Sequence, residues 1–369
     1  MLKRLAIIAL VILAICLAIS YPVCRGRFIS WRLSRAVQQN NISLVRSLLD
    51  KGISANTKDK HGTPLLLLSV GKGYKEITEL LLNKGADINI KDDTRTISFH
   101  HSLIKGPGKM SYGGATALQV AAAKGYNDLV RLLLDKGADA DISSDIIKYN
   151  VVAKQDEQEV SAEMGGTALN MALANGELET AKLLLPKTNN VNTVCMKMTP
   201  LHYAIMHGRA DVVKALLEKG AEVNTVGGDF DSTPLHLAIM QDHNDKCPDS
   251  EIIKLLLEYG AEANIKDKLG FRPLQIACVH QCLEVMKLLI EYGANVNMKN
   301  QYGASLLHGT AYFGYSDIVE LLIDYGIDVN AKDQKGQTAL DKAIYKGYTD
   351  IADILKKHGA KTGAEIKQF

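Results

Sequence analysis

The sequence predicts an all-α solenoid, a stack of short helix pairs, and two observations carry that reading. A Thr-Pro-Leu-His-like opening is followed about twenty residues later by a Leu-Leu-x-x-x-Gly-Ala-like close, and the combination recurs eight times along the chain. Counting from Gly52, the closing position returns at Gly85, Gly137, Thr188, Gly220, Gly260, Gly293, Gly326 and Gly359, in steps of 33, 52, 51, 32, 40, 33, 33 and 33. The second observation is helix length. Each unit holds two apolar-faced stretches of about nine residues, too short to be stable helices alone, so their faces need the next pair.

The unit that opens at Thr199 shows why each element forms. Thr199 is a good N-cap and Pro200 suits the first helical position. A short apolar helix runs to Met206 and ends in the His207-Gly208 turn. A second helix, Asp211 to Lys219, has its apolar face on Val212, Val213, Leu216 and Leu217, and Gly220 supplies the left-handed residue that stops it. Between pairs, a stretch such as Asn264 to Gly270 reads as an extended arm with a polar turn. Residues 31–57 form a degenerate first pair, and eight units begin near His61, Gly113, Gly165, Lys197, Asp231, Gly270, Gly303 and Gly336. The last carries Asp341, Lys342, Asp353, Lys356 and Lys357 on its helices, the polar dressing of a terminal cap.

A period of 33 opened by Thr199-Pro200-Leu201-His202 or Thr233-Pro234-Leu235-His236 resembles the ankyrin repeat, over roughly residues 31–360. The resemblance implies hairpin fingers at right angles to the helices and a concave groove used for protein partners. The domain layout is then a leader at 1–24, an array at 25–360 and a loose tail at 361–369. Three insertions interrupt the array. Two, near 94–112 and 143–164, fall between consecutive pairs and are expected to project from neighbouring finger tips. A third, 241–250, lies between the two helices of one unit, at the far end from the fingers. The third unit ends in Pro186-Lys187-Thr188 without its closing glycine, a place for the stack to become irregular.

Charge and cysteine content narrow the function classes. Residues 1–35 hold six bases and no acid, which leaves the rest with 37 bases against 41 acids, near −4. A weakly acidic body gives no electrostatic footprint for DNA or RNA. The cysteines contain no Cys-x-x-Cys pair and read neither as a zinc site nor as a disulfide framework. Cys278 reads as core packing, and a bridge from Cys278 to Cys282 is open only in an oxidising compartment.

No phosphate loop, nucleophile elbow or His-Glu-x-x-His motif is present, and neither an enzyme activity, a cofactor nor a small-molecule substrate is expected. His202, His236 and His308 occupy the fourth motif position, where a local hydrogen-bonding role is expected. His100-His101 lacks a third ligand in sequence. Asp242-His243-Asn244-Asp245 with Cys247 and Asp249 is denser but reads as a solvated loop.

Aligning the units gives a sharper signal. Three positions before the opening Thr stand Lys60, Gly113, Met164, Met196, Phe230, Leu269, Tyr302 and Lys335. Seven positions after it stand Val70, Ala123, Ala174, Met206, Met240, Val279, Tyr312 and Tyr345. The resemblance places both columns on the groove, so Met196, Met206, Phe230, Met240, Leu269, Tyr302, Tyr312 and Phe313 are the expected apolar floor for a protein partner. The competing readings are packing between fingers, a structural spacer without a partner, and a metal or catalytic role in the insertions.

The leader reads as a membrane-engaging segment. Lys3-Arg4 precedes fifteen apolar residues, Leu5 to Ile19, which as a helix span about 22 Å, and Pro22 ends the run. A secretory signal cleaved after Ser20 and a retained single-pass anchor both fit, with the array expected outside the cytoplasm.

Overall fold

The computed structural model describes residues 30–92, 114–152, 159–241, 247–248 and 250–366, in two compact units, Met1–Met196 and Lys197–Phe369. The leader, the first insertion with His100-His101, and most of the Asp242–Asp249 cluster lie outside the described residues. Among the described residues no helix is long and apolar enough to cross a membrane.

In the first unit, α1 (30–38) pairs with α2 (Ile42–Asp50), α3 (Leu65–Gly71) with α4 (Lys75–Asn83), α5 (Ala117–Ala123) with α6 (Asn127–Asp135), and α7 (Ala168–Ala174) with α8 (Leu178–Leu184). The first helices α3, α5 and α7 pack in one row, and α2, α4, α6 and α8 in a second. The second insertion forms a hairpin that lengthens a finger. β1 (Ser144–Val152) runs antiparallel to β2 (Glu159–Gly166), from the pair Val152 and Glu159 down to Ser144 and Gly166. Its strands are rich in β-formers such as Ile146, Ile147, Tyr149, Val151 and Val160. At its root the Gln119 side-chain amide donates to the carbonyls of Ile142 (2.9 Å) and Gly166 (2.6 Å). Where the closing glycine is replaced by Thr188, the chain leaves α8 through a 3₁₀ turn, Leu185–Lys187, and the Thr188 hydroxyl donates back to the Leu184 carbonyl at 3.1 Å.

The second unit repeats the pair five times: α9 (Pro200–Met206) and α10 (Ala210–Glu218), α11 (Pro234–Met240) and α12 (Ser250–Glu258), α13 (Pro273–Val279) and α14 (Leu283–Glu291), α15 (Leu306–Phe313) and α16 (Ser316–Asp324), α17 (Ala339–Lys346) and α18 (Thr349–Lys357). Odd-numbered helices form one row and even-numbered helices the other. The expected apolar face of α10, Val212, Val213, Leu216 and Leu217, is buried. Each such buried aliphatic side chain is worth about 1.5–3 kcal/mol, which is what the isolated helix lacks. Gly220, at φ +88°, ends α10 in the left-handed region that a side chain would strain.

Within each unit polar bridges join one repeat to the next at two heights. At the loops, Asn224 donates to the Gly260 carbonyl (3.1 Å) and accepts from the Glu262 N–H (2.9 Å). Asn56, Asn264, Asn297 and Asn330 make the same two bonds one repeat on. At the fingers, His236 Nδ1 accepts from the Thr233 N–H (3.3 Å), closing a capping box, while Nε2 meets the Phe271 carbonyl of the next finger (3.2 Å). His202 reaches Ser232 and His308 reaches Gln337 in the same way. This is the local role expected of these histidines. It fixes the neutral tautomer with the proton on Nε2, since Nδ1 already faces a donor.

The cysteines depart from the sequence reading. Cys247, in the third insertion, is disulfide-bonded to Cys282 with Cα atoms 5.4 Å apart, whereas the sequence left only Cys278 and Cys282 as a candidate bridge. Cys278 lies on α13 in the core, where burial pushes its thiol pKa up to about 12. Cys282 is the N-cap residue of α14, so the bridge ties Cys247 to the first turn of the second helix in the following repeat.

Two outcomes follow for stability. Burial holds the pKa of His202, His236 and His308 below the ordinary value of 6.5, so the folded state prefers neutral rings. Their contribution is full above about pH 6.5 and is lost as pH falls through the lowered folded-state values. Melting temperature should drop as pH falls below about 6.5, and less so in H202Q/H236Q/H308Q, because glutamine already makes the equivalent bonds at Gln119. A pH profile identical to that of the parent chain would contradict the assignment. C247S/C282S should lower stability under non-reducing conditions by about 2–4 kcal/mol, read from denaturant midpoints, with no change between parent and variant once reductant is added.

Candidate functional site

In the second unit the finger tips and first helices present large apolar side chains to solvent, repeat after repeat. The tip geometry comes from short turns closed by a left-handed residue: Gly270 (φ +86°) follows Leu269, Gly303 (φ +74°) follows Tyr302, and Asp231 (φ +49°) follows Phe230. Tips bond sideways through the backbone. The Phe230 carbonyl accepts from the Lys268 N–H (2.9 Å) and the Tyr302 carbonyl from the Gln334 N–H (3.0 Å). With the backbone satisfied between fingers, the tip side chains are left outside: Phe230 is 50%, Leu269 63% and Tyr302 63% exposed.

The ends of the first helices add a second column. Met240 is exposed at the end of α11, and Phe313 is 60% exposed at the end of α15. Tyr312 and Met206 are half-buried. The ring of Tyr312 meets Phe313 edge-on at 5.2 Å and lies under the Lys346 ammonium at 4.4 Å. Met196, half-buried and at φ +51°, is the last residue of the first unit and so belongs to a different body from the other seven. Three exposed residues extend the surface beyond those singled out in sequence: Val279 (66%), Ile344 (52%) and Tyr345 (78%). Val279 and Tyr345 share the column of Met240 and Tyr312, and that alignment was the signal that could have included them.

Charged groups on these segments are arranged with little internal slack. Burial alone would raise the Asp333 carboxyl, but the Lys342 ammonium at 2.9 Å and the N–H groups of Gln337 and Lys335 hold it below its ordinary value. Among the described residues no group of three His, Cys, Asp or Glu side chains is placed to hold a metal ion. The candidate site is an exposed surface of large apolar side chains interspersed with charged groups.

Comparison with known proteins agrees with this architecture. The family described as ankyrin repeats (3 copies) matches residues 33–144, 140–227, 225–300 and 295–366, and the chain belongs to that family. It is thus of the class whose repeats serve as protein–protein interaction modules. It is 32% identical over 133 residues to an ankyrin repeat-containing protein of Treponema pallidum (strain Nichols), covering 32% of this chain and 43% of that protein. It is 40% identical over 68 residues to the E3 ubiquitin-protein ligase KEG of Arabidopsis thaliana, covering 18% and 4% of the two chains. With inversin of Danio rerio the identity is 33% over 102 residues, 27% of this chain and 8% of the relative. The chain thus spans less than half the length of each of these relatives.

If the exposed residues are surface rather than core, truncating them leaves the fold intact. F230A/Y302A should melt within about 0.5 kcal/mol of the parent, measured by circular dichroism, whereas L307A, fully buried on α15, should cost about 2–5 kcal/mol.

Proposed function

We propose that the array binds a protein partner across the face shared by its finger tips and first helices, with Phe230, Met240, Leu269, Tyr302, Tyr312 and Phe313 as the central contacts. The observation that carries this is the run of solvent-exposed large side chains on consecutive fingers and helix ends. Exposing such groups costs the free chain the burial energy that a partner would restore, and aromatic anchors of this kind dominate the energetics of protein interfaces. Met206, half-buried at the end of α9, is assigned to the periphery of this surface, and Met196, in the other unit, is left out of it.

The same reading places the array outside the cytoplasm, exported or held by the leader at the membrane. The Cys247–Cys282 disulfide supports it, because such bridges persist in oxidising compartments. The basic and apolar character of residues 1–24 supports it independently.

Two measurements test these proposals. F230A/Y302A should weaken capture of the native partner by more than tenfold while leaving the melting curve unchanged; undiminished capture would return the array to a spacer role. Fractionation of the full-length chain with protease protection and N-terminal sequencing should find the array accessible from outside the cytoplasm, starting at Tyr21 if the leader is cleaved or at Met1 if it is retained. Recovery of the array on the cytoplasmic side would overturn the placement.

A further inference from the structure

The last three repeats segregate charge between their two helix rows. In the finger and first-helix segments 265–281, 298–314 and 331–347, eight Lys or Arg stand against three acids. In the second-helix segments 282–297, 315–330 and 348–360 the ratio is inverted, with eight acids against three Lys or Arg. The finger and first-helix side, the aromatic side for its exposed Tyr302, Phe313 and Tyr345, therefore carries +5. The second-helix side, which has its own exposed Tyr292, Tyr325 and Tyr348, carries −5, although the whole chain is close to neutral.

The three acids on the aromatic side are all engaged internally. Asp267 is buried and accepts from the Phe271 N–H at 2.8 Å. Asp333 is paired with Lys342. Asp341 caps α17 by accepting from the Thr338 N–H (2.7 Å) and also takes the Gly363 N–H (2.7 Å). None is left pointing outward to repel an anion. Of the eight bases, Lys342 is held by Asp333 and Gln337, whereas Lys268, Arg272, Lys299 and Lys332 donate to backbone carbonyls, which do not neutralise their charge. Lys266 and Lys335 are exposed and their ammonium groups have no partner among the described residues. Lys346, over the Tyr312 ring, sits between the exposed Tyr345 and the helix end.

Exposed ammonium groups thus alternate with the exposed apolar side chains of Leu269, Tyr302, Phe313 and Tyr345. We infer that the partner segment held here is an acidic peptide carrying large apolar or aromatic anchors, its carboxylates meeting Lys266, Lys268, Lys335 and Lys346 and its anchors covering the exposed rings. A neutral apolar segment would leave the lysines paired only with water, and a basic one would be repelled by the excess charge. This inference rests on the protein-binding reading above and adds the chemistry of the partner.

The test uses the full chain and four probes followed by fluorescence anisotropy. They are a labelled peptide of glutamates spaced around two Trp-Leu anchors, its Lys-for-Glu counterpart, its Ser-for-anchor counterpart, and phosphatidylserine-containing vesicles. The acidic anchored peptide should bind, and more weakly as salt rises. Both altered peptides should bind at least tenfold more weakly, as should the acidic anchored peptide with K266E/K335E. Equal binding of the charge-reversed peptide, no response to K266E/K335E, or binding to vesicles with none to the acidic peptide would each overturn the inference. Should F230A/Y302A release the native partner while K266E/K335E does not, the charge assignment fails and the binding face stands; should neither matter, both fail.

Discussion

The whole array depends on the insufficiency of one helix pair. Helices of seven to nine residues bury their apolar faces only when the next pair arrives, so folding energy resides between repeats rather than within them. The polar bridges follow the same rule. Each loop asparagine gives both of its bridging bonds to the next repeat, and each finger histidine gives one bond to its own capping box and the other to the next repeat. Apolar burial supplies magnitude without direction, whereas these bridges fix register. Both operate only between neighbours, which is why insertions as long as the β1–β2 hairpin can be added at a finger without disturbing the helices around it.

The same division of labour leaves the finger tips and first-helix ends in solvent. Fingers satisfy their backbones sideways, first helices pack along their row, and the tip and helix-end side chains contribute to neither. Natural surfaces rarely leave Phe, Leu and Tyr side by side in that condition without use. The charge split in the last three repeats sharpens the point, because the acids near the aromatic side are all engaged by capping, burial or pairing. The Cys247–Cys282 bridge adds a covalent link between one repeat and the next.

Much of the fold was legible because it rests on local rules repeated in register. The capping Thr199, the first-turn Pro200, the apolar face of α10 and the stop at Gly220 are each dictated within a few residues, and each stands where the pattern put it. The site was legible in part for the same reason: a column in the alignment is a column in space. Phe230, Leu269, Tyr302 and Phe313 are exposed, while Tyr312, adjacent to Phe313, and Met206 are half-buried. A sequence column fixes which row a side chain joins, but its final burial depends on neighbours such as Lys346.

What lay beyond the sequence is what joins residues far apart along the chain. The sequence left a Cys278–Cys282 bridge open only in an oxidising compartment, but the turn between α13 and α14 separates those two, while packing carries Cys247, 35 residues before Cys282, to within bridging distance. The pairing of Ser144–Val152 with Glu159–Gly166 likewise needed a partner strand to appear. Nor could the sequence say that Met196 belongs to another compact unit than Phe230. By itself the sequence determined the repeat, its caps and the identity of its faces, because those follow from periodicity and local hydrogen bonding. Tertiary structure alone decided which side chains remain in solvent and which distant cysteines meet, because exposure and bridging depend on atoms that no local rule brings together.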